Sequence, residues 1–378
     1  MKSIVFVWSI SVLLASTALA QPGPATNPGA RGRGGRGAGT AILSPEVHPD
    51  RTVTFRLRAP AASEVTLTGD WLAAAEKLTK DENGVWSVTL GPLEPGFAIY
   101  SFTMDGLAIA DPTNPRIKLR ARGSGSLVDV PGTGNELWVP RDIAHGTVDI
   151  NWHKSSVLNG ETREFRVYTP PGYDQNPNAK YPVLYLLHGN NDTQAGWVDV
   201  GRANMILDNL IADKKAVPMI VVMPFGHAST GVARPFDFER YLLEDVMPTV
   251  EKSYRIISDR DHRAIVGYSM GGGQALTIGL GHLDLFSAVA GFSPAVFGDA
   301  ATRFKLLLDD PDGTNAKLKL LWVGCGRQDS LFQADQTFAE TMTAHKIRTT
   351  WYPTEGRHNY TVWRKYLIEV APLLFQTK

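Results

Sequence analysis

The residues with the clearest potential for chemistry lie in the stretch "AIVGYSMGGGQALT", at positions 264–277. Ser269 stands between Gly267 and Gly271 in the pattern Gly-x-Ser-x-Gly. An apolar, strand-like run comes before the serine and a helix-forming run follows it, a context in which a tight turn exposes the serine hydroxyl above a sheet. A Cβ atom on either glycine would collide with the neighbouring strand or helix. The pattern therefore predicts a nucleophilic serine.

A serine hydroxyl is a weak nucleophile, so it needs an adjacent base. In this architecture the chain order is serine, then acid, then histidine, each on a loop after a strand. His358 lies in the loop "TEGRHNY", after the strand-like run "RTTWYP" and before the last helical segment. His282, at the end of the helix that follows the serine, and His345, late in an amphipathic helix, are the alternatives. We expect His358 to be the base.

The acid that orients the histidine should follow the preceding strand. The run "LLWVGCGRQDSL" loses its apolar character at Gly326 and then supplies Asp329. The aspartates of "DDPDGT", residues 309–314, are predicted to lie in a solvated turn before that strand. Glu355 is too close to His358 in sequence to orient it. We therefore expect Asp329 to be the acid.

An ester-cleaving serine also needs two N–H donors for the negative charge of the tetrahedral intermediate. The backbone of Met270, directly after the serine, is expected to supply one. The loop "LLHGNND" should supply the other, from Asn190 or its rival Asn191. His188 in the same loop is interpreted as structural rather than catalytic.

These motifs resemble a known family. The segments "YPVLYLLHGNNDTQAGW", "VGYSMGG", "GCGRQD" and "GRHNYTVWR" are similar to carbohydrate esterase family one, the feruloyl and acetylxylan esterases of the esterase-D type. The resemblance extends from about Asp149 to the C-terminus. It implies an α/β-hydrolase fold with Ser269 as nucleophile, Asp329 as acid and His358 as base. The pair Asn190–Asn191 departs from the family, in which many members are richer in glycine here.

The N-terminal segments are expected to direct export and to act as a tether. Residues 1–20 combine Lys2, an apolar run and the small-x-small end Ala18-Leu19-Ala20, which is typical of a cleaved signal peptide. Residues 21–43 are rich in Gly, Pro and Arg and are predicted to be a flexible linker. The protein is therefore expected to be secreted or periplasmic, without stable membrane insertion. Its single cysteine, Cys325, excludes an internal disulfide and should be buried.

Residues 44–131 alternate apolar and polar side chains, as in "TVTFRLRAP", "VWSVTL" and "AIYSFTM". This period predicts a small antiparallel β-sandwich with a core of its own. The region is similar to carbohydrate-binding module family forty-eight, mainly in "GVWSVTLGPLEPGFAIYSF" and "DPTNP". Trp71 and Trp86 could stack on sugar, although Trp86 alternates with core positions and should be buried.

Residues 132–378 alternate strand-like and helical runs, which predicts a mostly parallel sheet covered on both faces. The fold class is therefore α/β, an α/β-hydrolase catalytic domain with a small N-terminal β-sandwich. The 378 residues carry 38 basic and 38 acidic side chains, so the net charge gives no sign of nucleic-acid binding. No histidine pair has ligand spacing, so no metal or cofactor is implied. The oligomeric state is left open.

Together these observations predict a secreted serine carboxylesterase that cleaves ester decorations, in particular feruloyl groups, from plant cell-wall polysaccharide. An acetylxylan esterase and a general or siderophore carboxylesterase are the enzymatic alternatives. A non-catalytic glycan-binding protein is the alternative of another class, and the complete Ser-His-Asp set argues against it. Four aromatic residues are candidates for the lining of an acyl pocket: Trp197, Phe225, Phe236 and Trp363.

Overall fold

The segments with period two form antiparallel sheets in the computed structural model, which describes residues 42–227 and 237–376. One sheet has the order β1-β2-β6-β5, and the other has the order β4-β3-β7-β10-β9 with β8 paired to β7. The strands are β1 (Glu46–Val47), β2 (Val53–Arg58), β3 (Val65–Gly69), β4 (Glu76–Lys77), β5 (Thr79–Lys80), β6 (Val85–Leu90), β7 (Gly96–Met104), β8 (Leu107–Ile109), β9 (Ile117–Leu119) and β10 (Ser124–Val130).

The inner faces of these two sheets share one hydrophobic core. Phe55 from one sheet and Phe102 from the other are fully buried in it. Trp86 is also buried and donates its indole N–H to the carbonyl of Ala59 at 2.9 Å. The predicted burial of Trp86 is therefore confirmed. Trp71 is half-buried and stacks on Phe55 with ring centroids 5.9 Å apart.

The second half of the chain builds a larger sheet with the order β11-β12-β14-β13-β15-β16-β17-β18. Neighbouring strands from β14 to β18 are parallel, as predicted, whereas β11 and β12 form an antiparallel edge. Because these two strands contain no long apolar run, they were not predicted from the sequence. The strands are β11 (Thr147–Lys154), β12 (Thr162–Thr169), β13 (Val183–Leu187), β14 (Ile220–Pro224), β15 (Arg263–Tyr268), β16 (Ala288–Phe292), β17 (Leu320–Gly326) and β18 (Thr350–Thr354).

Helices connect these strands, and most follow the predicted segments. The helices are α1 (Gly196–Asp199), α2 (Ala203–Ala212), α3 (Phe238–Tyr241), α4 (Met247–Ser253), α5 (Met270–Gly281), α6 (Ala300–Arg303), α7 (Lys305–Asp309), α8 (Pro311–Lys317), α9 (Phe332–Ala344) and α10 (Tyr360–Val370). A π-helical turn, Leu242–Val246, joins α3 to α4, and two 3₁₀ turns cover Arg260–His262 and Ala371–Leu373.

The acidic run at residues 309–314 is not the turn that the sequence predicted. It contains the start of α8, where the Asp310 side chain accepts the Gly313 N–H at 3.0 Å. An aspartate followed by a proline is a favourable helix start, because the side chain caps free N–H groups and proline fits the first turn. Asp310 and Asp312 are nevertheless exposed, so the solvated character of the run is as expected.

Alternate residues of the central strands face two hydrophobic cores. On β13, Tyr185 and Leu187 enter one core, which also contains Phe338 of α9. Leu184 and Leu186 enter the other. Both faces of the sheet are therefore covered, as predicted for parallel strands.

Cys325 on β17 is fully buried. Burial raises the pKa of its thiol well above the ordinary value, so the thiol stays protonated. Within the part of the chain that the structure describes, no helix has the length and apolar character needed to cross a membrane.

The N-terminal β-rich region does not stand apart from the larger sheet. Phe97 and Ile99 of β7 and Leu127 of β10 point outward from their own sheet. They belong to the same buried cluster as Leu207 of α2 and Tyr366 of α10. The expectation of separate cores therefore holds for the inner faces of the N-terminal sheets and is wrong for this outer face.

A buried ion pair adds to this contact. Lys118, on β9, is 3% exposed and pairs with the carboxylate of Asp192, in the loop after β13. Its neighbours Ile117 and Leu119 point to solvent, so the strand turns its charged residue inward and its apolar residues outward. Burial raises the pKa of Asp192, but the Lys118 ammonium and the other charges and donors around the carboxylate together outweigh burial and keep that pKa below its ordinary value.

This buried pair gives a stability prediction. Lys118→Ala should lower the free energy of unfolding by about 3 kcal/mol, because it leaves the Asp192 carboxylate buried without its counter-charge. Urea unfolding followed by tryptophan fluorescence measures the change. Lys77→Ala is the control, since Lys77 is 81% exposed and its pair with Glu64 lies at the surface. Equal effects of the two substitutions would contradict the assignment.

Candidate active site

Ser269 occupies the turn between β15 and α5 in a strained backbone conformation. Its φ is 53° and its ψ is −123°, a combination that residues other than glycine rarely adopt. The Ser269 N–H donates to the carbonyl of Phe292, and the Ser269 carbonyl accepts from Ala295, both at 2.9 Å. Hydrogen bonds to the neighbouring strand and its loop therefore hold the strained turn in place.

The two glycines of the motif allow this turn to pack closely. A Cβ atom on Gly267 would lie 2.4 Å from the carbonyl oxygen of Gly271. A Cβ atom on Gly271 would lie 2.4 Å from the carbonyl oxygen of His188. Real Cβ atoms do not approach backbone so closely, so the predicted steric reason for both glycines is confirmed.

His358 and Asp329 form a hydrogen-bonded pair. The loop after β18 carries His358, and the loop after β17 carries Asp329, because the carboxyl ends of neighbouring parallel strands meet at one edge of the sheet. His358 Nδ1 lies 2.7 Å from Asp329 Oδ2. The Asp329 side chain is 0% exposed, whereas that of His358 is 34% exposed. The buried carboxylate can thus orient a ring whose other edge faces solvent.

The surroundings of Asp329 favour its charged form. Burial raises the pKa of this carboxyl, but its hydrogen bond to His358 and further donors outweigh burial and hold the pKa below its ordinary value. One of these donors is the Leu331 N–H, at 2.9 Å. A carboxylate in this state stabilises a positive charge on the imidazole.

The other candidate histidines lie elsewhere. His282 Nε2 is 2.8 Å from Glu239, at the far end of α5 from Ser269. His345 is exposed at the end of α9 and bonds the Thr341 carbonyl. Neither of them is paired with Asp329.

The loop after β13 lies beside Ser269. His188 is buried, its Nε2 accepts the Gly226 N–H at 2.8 Å, and its Nδ1–H faces the Gly189 carbonyl at 2.8 Å. Burial lowers the pKa of His188 to about 4, so the ring is neutral and holds the loop. These contacts agree with the structural role predicted for His188.

Asn190 and Asn191 occupy different surroundings in this loop. Asn190 is exposed and lines the space around Ser269. Asn191 has a φ of 58°, and its side-chain oxygen accepts the N–H of Arg122 from the N-terminal region. Both residues line a cavity that contains Ser269, and Asn190 also lines a second, larger one.

A network centred on Asp192 supports the site from below. Its carboxylate accepts from Tyr268 at 2.5 Å and from Tyr360 at 2.8 Å, in addition to the pair with Lys118. The Trp363 ring stacks on Tyr268 with centroids 3.8 Å apart and meets His358 edge-on at 4.9 Å. Residues next to the candidate nucleophile and base are therefore fixed by one buried carboxylate. This network was not predicted from the sequence.

Ser269 and His358 lie at the junction of two cavities. The large cavity, of about 790 Å³, has mostly apolar walls that include Phe238 and Leu331. The small cavity, of about 150 Å³, is more polar and reaches to the N-terminal region. Asn190 also lines both cavities. An ester bond between Ser269 and His358 would thus have space for one substituent on each side.

The four aromatic residues predicted to line an acyl pocket differ in where they lie. Trp197 is 1% exposed and donates its indole N–H to the Leu187 carbonyl, so it is a core residue and the expectation is corrected. Trp363 is buried and lines the small cavity. Phe225 lies outside both cavities and lines a separate one. Phe236 lies outside the described residues.

A second buried acid lies behind Asp329. Asp335, on α9, is 0% exposed and interacts with the Cys325 thiol and with the charge of Asp329. Burial, helped by the nearby Asp329 charge, raises the pKa of Asp335 to about 8, so it is protonated at neutral pH. Nothing in the sequence predicted this burial, because Asp335 lies in a largely polar helical segment.

Comparison with known proteins identifies the family. A family model for esterases ("Putative esterase") matches residues 155–374, more than half of the chain. The chain therefore belongs to the esterase family. The expected membership of an esterase family is confirmed.

Similar proteins include an "Endo-1,4-beta-xylanase/feruloyl esterase" of Xylanibacter ruminicola, 31% identical over 347 residues. That match covers 88% of this chain but only 46% of the relative, so the chain spans less than half of the relative's length. A ferulic acid esterase structure is 29% identical, covers 61% of this chain and 97% of its own, and has a TM-score of 0.55.

The enterobactin esterase of Shigella flexneri shares the fold over a longer stretch. It is 19% identical, with a TM-score of 0.63 over 85% of this chain and 92% of its own. The esterase-type α/β-hydrolase fold is thus confirmed, with a β-rich region at its N-terminal side.

The pairing of Asp329 with His358 predicts a strong effect of a nearly isosteric change. Asp329→Asn should lower kcat on p-nitrophenyl acetate by about 10³-fold or more, because an amide neither holds the imidazole tautomer nor stabilises its charge. Asp310→Asn is the control, since Asp310 caps α8 at the surface and asparagine caps equally well. A larger loss from Asp310→Asn would mean that the acid is misassigned.

The buried Asp335 predicts a pH-dependent stability. The unfolded chain loses this proton near pH 3.9, whereas the folded protein keeps it to about 8. Between these two pH values the folded protein therefore binds one more proton than the unfolded chain. As the pH rises through this range, the free energy of unfolding should fall by at most about 1.4 kcal/mol per pH unit because of this group.

Urea unfolding at several pH values between these limits measures the slope. Asp335→Asn should flatten it, whereas Asp312→Asn, at an exposed position on α8, should leave it unchanged. An unaltered slope in Asp335→Asn would show that Asp335 is already ionised in the folded protein.

Proposed function

We propose that this protein is a secreted serine carboxylesterase that cleaves feruloyl esters from plant cell-wall polysaccharide. The observation that carries the proposal is the pairing of His358 with a buried Asp329 carboxylate beside the strained Ser269 turn, at the edge of a large cavity. The similarity to a xylanase/feruloyl esterase and to a ferulic acid esterase supports the choice of substrate.

In the proposed mechanism the Ser269 hydroxyl attacks the ester carbonyl carbon while His358 takes its proton. The oxyanion accepts hydrogen bonds from the backbone N–H groups of Met270 and Asn190. His358 then gives the proton to the departing alcohol oxygen, leaving an acyl-serine. Water, deprotonated by His358, attacks this acyl group and releases the acid and free Ser269. Asp329 stabilises the imidazolium in both steps.

The size of the large cavity favours an aromatic acyl group. Its volume of about 790 Å³ is in the range of sites for drug-sized ligands, far more than an acetyl group fills. Phe238, Ile278, Phe297 and Leu331 give it apolar walls. The buried oxygen of Gln274 carries no hydrogen bond to the described residues and lies at the same cavity, where a phenolic hydroxyl could donate to it.

The finer assignments belong to the same proposal. Residues 44–131 would form a β-sandwich domain of the early-set type, related to carbohydrate-binding module family forty-eight, and residues 132–378 the esterase domain. The signal peptide at residues 1–20 and nearly all of the linker at 21–43 lie outside the described residues. Export therefore rests on the sequence pattern alone.

A panel of substrates tests the proposal. Methyl ferulate and feruloylated arabinoxylan oligosaccharides should be cleaved with a kcat/KM at least about tenfold above that for acetylated xylan, because an acetyl group buries little area in the large cavity. Ser269→Ala should lose about 10³-fold or more in kcat on each. Liquid chromatography of the released acids gives the rates.

Two outcomes would redirect the proposal. Preference for acetylated xylan, or for a cyclic catechol-serine triester, would select one of the other esterases. A well-folded protein that hydrolyses no ester, and whose Ser269 is not labelled by a fluorophosphonate, would favour the glycan-binding alternative.

A further inference from the structure

The small cavity beside Ser269 has walls from two parts of the chain. Ser269 and His358 line it from the larger sheet, and Asp70 and Arg120 line it from the N-terminal region. Arg120 also lines a third cavity, of about 430 Å³, which we call the edge cavity because Trp152 of the edge strand β11 lies in its wall. The small cavity and the edge cavity therefore both border Arg120.

Arg120 is a half-buried cation that lies near the carboxyl of Asp70. Its guanidinium makes no hydrogen bond or ion pair to residues 42–227 or 237–376, whereas the neighbouring Lys118 is paired with Asp192. Burial raises the pKa of Asp70 to about 7, so this nearby carboxyl is only partly charged at neutral pH. A partly desolvated guanidinium without a hydrogen-bond acceptor is costly unless a ligand supplies oxygen acceptors.

Trp152 offers a complementary surface in the edge cavity. It is 65% exposed, although a large aromatic side chain is usually buried. Polar residues surround it: Glu164 lies opposite in the strand register and accepts from Gln194 at 2.7 Å. An exposed indole with hydrogen-bonding side chains around it suits the apolar face and the hydroxyl edge of a sugar.

We propose that Arg120 and Trp152 form the subsites for the leaving alcohol, with Arg120 donating to hydroxyl oxygens of the esterified sugar and Trp152 stacking on a following sugar. The inference rests on the proposed function, since it gives the large cavity to the acyl group and the two other cavities to the glycan. The N-terminal region then contributes directly to specificity, through Arg120.

Kinetics on two substrates with the same acyl group test this. Arg120→Ala and Trp152→Ala should each lower kcat/KM on a feruloylated arabinoxylan oligosaccharide by at least about tenfold more than on methyl ferulate, mainly through KM. The matched controls are Arg122→Ala, an exposed neighbour outside these cavities, and Ile150→Ala, exposed on the same strand as Trp152. Both control substitutions should leave the ratio of the kcat/KM values for the two substrates unchanged.

Equal losses on the two substrates, or none, would overturn the proposal. The proposal would also be overturned if light scattering showed a dimer and Trp152→Ala dissociated it. The exposed edge strand would then be an interface between copies of the chain.

A binding measurement separates this inference from the proposed function. Calorimetry with the Ser269→Ala variant and an unesterified arabinoxylan oligosaccharide requires no feruloyl chemistry. Binding that Trp152→Ala weakens about tenfold supports the subsites even if wild-type protein does not cleave feruloyl esters. Absence of binding overturns them even if methyl ferulate is cleaved.

Discussion

The buried carboxylate of Asp192 is the constraint on which the site depends. A charge in a nearly dry interior must be compensated, and the chain compensates it from three directions: Lys118 of the N-terminal region, Tyr268 next to the candidate nucleophile, and Tyr360 at the start of α10. Each partner belongs to an element that must be correctly placed for the site to form. The requirement to neutralise one carboxylate thus ties the loop of Asn190, the turn of Ser269 and the loop of His358 to one another.

The same requirement makes the N-terminal region part of the structure that supports the site. Its outer face packs into the core beneath α10, and the buried Arg364 of that helix donates to the carbonyl of Phe97 in β7. Asn359, directly after His358, donates to the carbonyl of Asp70. Contacts of the N-terminal region therefore reach the residue next to the candidate base, which gives that region a route to influence chemistry and specificity alike.

Much of the fold followed from sequence because its signals are local. Continuous apolar runs predicted the parallel strands, and the glycines around Ser269 predicted a turn too tight for any Cβ atom. Chain order after the serine placed Asp329 and His358, which the structure brings to 2.7 Å. The edge strand β11 and the helix α8 were missed, because an exposed edge has no long apolar run and a capped helix start resembles a turn.

The sequence by itself determined the types of residue available for chemistry and the strands that carry them, since motif spacing and hydrophobic period depend only on near neighbours. The tertiary structure alone decided which residues meet. Lys118 is separated from Asp192 by 74 positions, and nothing around it predicts that a lysine between two exposed apolar residues points inward. Trp197 resembles a pocket residue in sequence and is a core residue in space. Burial and pairing across distant segments are properties of the folded chain, because they depend on what each side chain finally packs against.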